Sequence, residues 1–195
     1  MEKEQIISLI DELALDKNIK LDEIPEIDLY MDQVIQLFEN KYNEAKRNED
    51  DKVLTKTMIN NYAKGKLLMP IKNKKYSKNH LILMSLIYNL KGALSISDIK
   101  TSLSHIVKEF EDESEYPLRQ TYNNYLKQCD EDLQSFKESV CIKNELIKEK
   151  VKDDEDKGFE EKFLLLCSMI NMSNMYRRMG EKIIDEFLLE KGDAK

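Results

Sequence analysis

An all-α fold is predicted by three features of this sequence. The chain of 195 residues holds only five glycines and three prolines, too little material for a succession of hairpins. Lysine, glutamate and leucine abound, and these straight-chain residues lose little freedom on entering a helix. Apolar residues recur at spacings of three and four from one end of the sequence to the other. With 41% hydrophobic residues there is enough apolar surface for a core, despite 35% charged residues.

The elements follow in order. Residues 4–17 form a first amphipathic helix through Ile6, Ile7, Leu9, Ile10 and Leu13, and Pro25 closes that section. A second helix runs from about Ile27, with Leu29, Tyr30, Val34, Leu37, Phe38 and Tyr42 on its inner side. Residues 43–52 are polar and read as a loop. Thr55 caps a short helix over residues 55–64, and Gly65 supplies its C-terminal stop. Leu67, Leu68 and Met69 lead into Pro70, and the polar stretch IKNKKYS that follows reads as a small β wing. Ser77 starts a helix to Lys91 that is apolar on nearly every side and must be central, and Gly92 ends it. Ser95 and Asp98 make a capping box for a further helix through Ile99, Leu103, Ile106 and Val107.

The acidic run EDESEYP, residues 111–117, marks a boundary. The chain therefore divides into an N-terminal helix at 1–23, a central domain at 24–110 and a helical region at 111–195. In the last, Leu118, Tyr122, Tyr125, Cys129, Leu133, Phe136 and Val140 make one stripe on a helix of some eight turns. A charged stretch, residues 148–157, leads to a second long helix carrying Leu166, Met169, Tyr176, Ile183 and Phe187. Two helices each with one apolar stripe predict a hairpin whose remaining edges pair with a second chain, so a homodimer is expected.

Charge is distributed unevenly. From Lys52 to Ser97 there are nine lysines and no aspartate or glutamate, whereas the rest of the chain sets 22 basic residues against 38 acidic ones. Solvated helix faces normally mix both signs, so an acid-free run in an acidic protein points to a polyanion. Three cysteines without a CxxC pair exclude a disulfide framework and a zinc site, and read as buried thiols. The charged N-terminus has no signal peptide or spanning helix, which predicts a cytoplasmic protein. The preference for lysine, asparagine and isoleucine over arginine, which occurs four times, fits an AT-rich bacterial genome.

Residues 58–103 resemble the DNA-binding half of MerR-type regulators. Tyr62 ends a helix, the sequence from Lys66 through Leu67, Leu68 and Met69 to Pro70 makes the turn, and Tyr76 with Ser77 closes a basic wing. A leucine-rich helix follows, then Gly92, Ser95 and Ile99 at the next helix start. From Ile24 to Leu103, including IPEIDLYMDQV and LTKTMINNY, the chain also resembles a bacterial family of YkrK-like proteins catalogued as a domain of unknown function. The resemblance implies a MerR-like winged helix-turn-helix fold. It departs at two phosphate-holding arginines, which align with Asn60 and Lys74, and in the inserted loop at residues 43–52.

These readings make the helix at 55–64 a recognition helix, with Lys56, Thr57, Asn60, Asn61 and Lys64 on its outer side. Asparagine can pair with adenine N6 and N7, and threonine can meet a thymine methyl or a phosphate. In the wing, Lys72, Lys74, Lys75 and Lys78 beside Tyr76 are placed to grip the backbone of duplex DNA. The expected function is sequence-specific DNA binding and transcriptional regulation, against an alternative in which the basic surface docks an acidic protein. No catalytic motif, glycine-rich phosphate loop or metal-ligand spacing points to an enzyme, and no cofactor is expected. His80 reads as a packed helix-end residue. Met169, Met172, Met175 and Met179 form a supple face open to core packing, a partner helix or a small apolar effector.

Overall fold

The computed structural model describes residues 1–112, 116–151 and 156–188. It is an all-α protein with one very small sheet, in the order α1 (Lys3–Glu12), β1 (Leu29–Tyr30), α2 (Met31–Tyr42), α3 (Lys56–Lys64), β2 (Lys75–Tyr76), α4 (Lys78–Leu90), α5 (Ile96–Glu111), α6 (Leu118–Lys148) and α7 (Lys157–Ile183). A 3₁₀ turn at Asn43–Ala45 follows α2, and a π turn at Ile184–Leu188 follows α7. No helix among the described residues is long and apolar enough to cross a membrane.

α4 is the hub, as its composition requires. Leu81, Ile82, Leu83, Met84 and Ile87 are buried on successive faces, so other elements surround it. α2 contributes Val34, Phe38 and Tyr42, α3 contributes Ile59 and Tyr62, and α5 contributes Ile99, Leu103 and Val107. Each set lies at spacings of three to four on an otherwise polar helix, which is why each helix buries one stripe. This core begins at Ile19 and takes in Leu118 and Tyr122 of α6, beyond the acidic run at 111–117. Residues 113–115 of that run lie outside the described residues.

Two helix boundaries differ from the sequence reading. Leu29 and Tyr30 are not the first turn of the second helix but an extended pair, antiparallel to β2 with Leu29 opposite Tyr76 and Tyr30 opposite Lys75. Tyr30 is the N-cap of α2, and its N–H donates to Gln33 Oε1 at 2.9 Å. The first helix stops at Glu12 because Ala14 takes a left-handed backbone, φ 51°, which leaves Leu13 and Leu15 exposed. The capping box of Ser95 and Asp98 is present as read, with Asp98 N–H donating to Ser95 Oγ at 3.1 Å.

α6 spans both parts of the molecule. Its first turns seal the main core, while Val140 meets Ile6 and Ile10 of α1 in a second, smaller core joined by Leu133, Cys141 and Met169. Asn144 Nδ2 donates to the Met1 carbonyl at 2.9 Å, and Lys137 pairs with Asp11 at 2.6 Å, so α1 is strapped along α6. α7 returns beside them, antiparallel to α6. Residues 152–155 of the predicted charged turn lie outside the described residues. Of the predicted α7 stripe Met169 packs on the second core, whereas Leu166, Tyr176, Ile183 and Phe187 are exposed, and the buried residue of α7 is Leu165. The thiols also divide, with Cys129 and Cys141 half-buried and Cys167 exposed on α7.

The main core contains one hydrogen bond across a long stretch of chain. Tyr122 Oη donates to the Ile19 carbonyl at 2.7 Å, both deep in the interior, and burial pushes the phenol pKa up to about 12. Tyr42, its ring centroid 4.2 Å from that of Tyr88 at a tilt of 32°, approaches the same carbonyl but meets no partner at hydrogen-bond geometry. Removing a hydroxyl that satisfies a buried acceptor costs about 1–3 kcal/mol, and removing one that satisfies nothing costs little. Tyr122→Phe is therefore expected to lower unfolding stability by about 1–3 kcal/mol, and Tyr42→Phe to leave it unchanged or raise it. Urea denaturation of the two variants measures the contrast.

Candidate nucleic-acid interface

The segment from the start of α3 to the start of α4 is held at both ends by half-buried caps. At the first, Thr55 Oγ1 accepts from Met58 N–H at 3.2 Å and starts α3. The helix then ends in a pair of reverse hydrogen bonds, Lys66 N–H to Ala63 O at 3.1 Å and Leu67 N–H to Tyr62 O at 3.0 Å. That pairing requires a left-handed residue at Lys66, φ 58°, and packs Leu67 back toward Tyr62. The sequence rule assigns that conformation to glycine, yet Gly65 sits one position earlier with φ −72°. Gly65 is needed for space: a Cβ there would stand 2.6 Å from Leu67 Cδ1 and 3.1 Å from Asn61 O.

The second anchor is His80, which takes the glutamate's place in a capping box. Its Nδ1 accepts from Ser77 N–H at 3.1 Å and lies 2.8 Å from Ser77 Oγ, and Nε2 faces the Met69 carbonyl at 3.3 Å. An Nδ1 that accepts and an Nε2 that donates define a neutral ring with its proton on Nε2. Burial holds the imidazole pKa below its usual value, opposed by the Met69 carbonyl and Asp28. His80 is thus the helix-end residue that its sequence context indicates, edge-on to Tyr76.

Between these anchors the chain makes a two-residue turn. Lys75 N–H donates to Lys72 O at 3.0 Å, and Asn73 and Lys74 both have positive φ, 52° and 59°, the signature of a type I′ turn. Asparagine tolerates that region, while lysine at the second position stands where glycine is preferred. The turn continues into β2, so the wing is a short hairpin laid against β1. α2 touches α3, β1 and β2, and so supports both the helix and the wing.

Lys56, Thr57, Asn60, Asn61 and Lys64 all lie exposed on α3, with Ile59 and Tyr62 turned inward. Lys72 and Lys74 are exposed at the wing tip, and half-buried Lys75 holds its Nζ 5.0 Å from the ring of Tyr30. Two of the ten predicted residues are not on the surface. Tyr76 is 3% exposed because β2 turns its ring onto His80. Lys78, 8% exposed, pairs with Glu26 at 2.6 Å, and Arg119 of α6 reaches the other oxygen of that carboxylate at 3.2 Å. Lys91 is likewise occupied, donating to Val53 O at 2.9 Å over the Tyr88 ring, and burial pushes its pKa down.

Exposed Lys66, Asn73 and half-exposed Tyr30 extend the same surface and were not predicted. For Lys66 the signal is its place in the acid-free run directly after Gly65. Tyr30 carried no signal, because only strand pairing brings it under Lys75. Among the described residues, Lys52, Lys56, Lys64, Lys66, Lys72, Lys74 and Lys75 take part in no ion pair, and the run of sequence that carries them holds no carboxylate. Outside that run Lys17, Lys41, Lys46, Lys137, Lys148 and Lys182 each face a carboxylate, while Lys3, Lys20, Lys100, Lys127, Lys143, Lys150 and Lys162 take part in no ion pair either. The four methionines of α7 divide: Met169 packs on the second core, Met172 is half-buried, and Met175 and Met179 are exposed. A cleft of about 670 Å³ opens between α1 and α6, but Asp11, Asp16, Glu44 and Asp130 line it, and none of the predicted residues does.

A family described as a domain of unknown function (DUF1836) matches residues 19–125, a little over half of the chain. Its start coincides with Ile19, where the main core begins, and its end falls just past Tyr122, the partner of Ile19. No curated protein and no solved structure matches the chain.

The caps generate two expectations. Gly65→Ala should destabilise the protein by forcing Leu67 aside, while Lys66→Gly should stabilise it by about 1 kcal/mol, the cost of holding a side chain in the left-handed region. Opposite shifts of the thermal midpoint at adjacent positions check this. For His80, the folded pKa lies below the unfolded value of about 6.5, so the unfolded chain binds more protons in the interval between them. Stability is then fully present above pH 6.5 and falls as pH drops through the folded value, with a slope of at most about 1.4 kcal/mol per pH unit. His80→Gln keeps an acceptor without titrating, and should flatten the profile of unfolding stability between pH 5 and 7.

Proposed function

This chain belongs to the DUF1836 family, and we propose that it binds duplex DNA through the outer face of α3 and the lysine wing, as a sequence-specific transcriptional regulator with a MerR-like winged helix-turn-helix. One observation carries the reading. Among the described residues, eight of the nine lysines between Lys52 and Ser97 make no ion pair in a protein with a carboxylate excess, seven of them also without the carbonyl contact that occupies Lys91, and three of these seven, Lys66, Lys72 and Lys74, lie at or beside strained turns. Lys66 and Lys74 hold left-handed backbone where glycine would be easier, so cationic side chains stand at positions that backbone energetics alone would give to another residue.

The chemistry divides by element. Wing lysines at an exposed tip meet phosphates, releasing counterions and making affinity depend on salt. Asn60 and Asn61 on a helix that projects from the core offer amide pairs to base edges, where an adenine presents an acceptor and a donor together. Local potential near such a surface outweighs the formal net charge of −7 for the whole chain. Lys78 has no part in this, since Glu26 holds it.

The test is a mobility shift on duplexes recovered by selection from random sequence. Changing Lys72, Lys74 and Lys75 together to alanine should weaken binding to every duplex alike and reduce the slope of log affinity against log salt by about 0.9 for each phosphate no longer neutralised. Asn60→Ala or Asn61→Ala should reduce discrimination by about 1–3 kcal/mol for the residue that reads a base, with non-specific affinity retained. Binding that neither depends on salt nor changes in the lysine triple variant overturns the reading and leaves the basic surface as a dock for an acidic protein.

A further inference from the structure

We propose that the exposed face of α7 pairs antiparallel with the same face of a second copy of this chain, about a two-fold axis at Ser173. α7 is unlike the other helices because most of its large apolar residues point to solvent. Phe159 is 71% exposed and Tyr176 71%, Phe163, Leu166, Ile170 and Ile183 are exposed about by half, and Phe187 in the π turn that continues the helix is 78% exposed. From Phe163 to Tyr176 there is no charged residue on any face. A solvated helix would not leave fourteen positions without a charge.

The occupant is indicated by symmetry. Phe159 and Phe187 stand fourteen positions either side of Ser173, Phe163 and Ile183 ten, and Ile170 and Tyr176 three; at seven, Leu166 is matched by Gly180, which leaves room for it. In an isologous contact residue i meets j while j meets i, so an antiparallel helix pair needs apolar positions matched in both directions from one point. The match is broken four positions out, where Met169 faces Arg177, and eleven out, where exposed Lys162 faces buried Ile184, so the two cations lie at the edge of the contact with their ends in water. A different protein or an apolar small molecule imposes no such requirement. At about 200 Å² for a large side chain, the exposed shares of these seven residues come to roughly 800 Å², about what one partner contributes to an interface of standard size. The small side chains of Ser173 and Gly180 let the two backbones approach at and near the axis.

Self-pairing through α7 is independent of DNA binding. α7 lies outside the matched residues 19–125 and carries none of the lysines of α3 and the wing, so either can fail alone. The homodimer expected from both long helices is thereby narrowed to one face of one helix, because the α6 stripe, apart from exposed Phe136, is largely taken up by the main core and the second core.

Sedimentation of the full-length protein at micromolar concentration should give a dimer, and Ile170→Glu with Ile183→Glu should raise its dissociation constant by about a hundredfold or more, since carboxylates would be buried without partners. Both sites are exposed in the protomer, so circular dichroism should be unchanged. Orientation is read by cross-linking. In a Cys167→Ser background, Ser173→Cys should form a covalent dimer under mild oxidation, because the two copies of position 173 meet at the axis. Native Cys167, six residues away, would be separated from its copy by about 18 Å along an antiparallel pair, beyond the roughly 6.8 Å Cα limit of a disulfide, and should not cross-link. A monomer at tens of micromolar, cross-linking through Cys167 as readily as through position 173, or a dimer that survives the double glutamate variant would each overturn the proposal.

Discussion

The burial of α4 on every side constrains everything around it. A helix whose successive faces present Leu81, Ile82, Leu83, Met84 and Ile87 to the interior has no side left for solvent. Four other helices must wrap it, and each needs only a single apolar stripe to do so. The start of such a helix is the difficult point, because its unpaired N–H groups would be stranded in an apolar interior. His80 and Ser77 resolve that locally, and a neutral imidazole does it without introducing a buried charge. The wing emerges immediately before this cap, so the stiffness of the core is transmitted to an exposed turn of two residues.

Charge is allocated with a corresponding division of labour. Where lysines secure one element to another they are given a carboxylate or a carbonyl: Lys137 ties α6 to α1, Lys78 ties α4 to the Glu26 loop, and Lys91 ties α4 to Val53. The lysines of α3 and the wing receive none. Their mutual repulsion is tolerable in water but yields no internal stabilisation, which is why they are informative about function in a way that the paired ones are not. Arg119 adds α6 to the Glu26 contact, so the same carboxylate closes the family-matched unit from the far side.

The remaining half of the molecule is held together differently. α1 and the C-terminal part of α6 share a core of only three buried residues, supplemented by half-buried neighbours and ion pairs at the helix edges. α7 adds Met169 to that core, buries Leu165 one turn earlier on its inner side, and leaves its broadest apolar face outside. The stability of this half is consequently small for its helix length, and association is the natural way for it to bury the rest.

Much of this was legible from residues alone. Helical class, the stripes of α2, α3, α5 and α6, the Thr55 and Ser95 caps and the acid-free lysine run are properties of local spacing and composition, which the backbone periodicity of 3.6 translates directly into faces. Other features depend on contacts between distant residues, which no local pattern records. Leu29 and Tyr30 became a strand because Tyr76 was available to pair with them, and Lys78 left the surface because Glu26 came to it from 52 positions away. The left-handed residue after α3 fell on Lys66 and not Gly65, because Leu67 needed the space that a Gly65 side chain would fill. For α7, sequence established that the helix is amphipathic, but which of its apolar faces packs inward depended on where α1 and α6 lay, and that is settled only when the whole chain has folded.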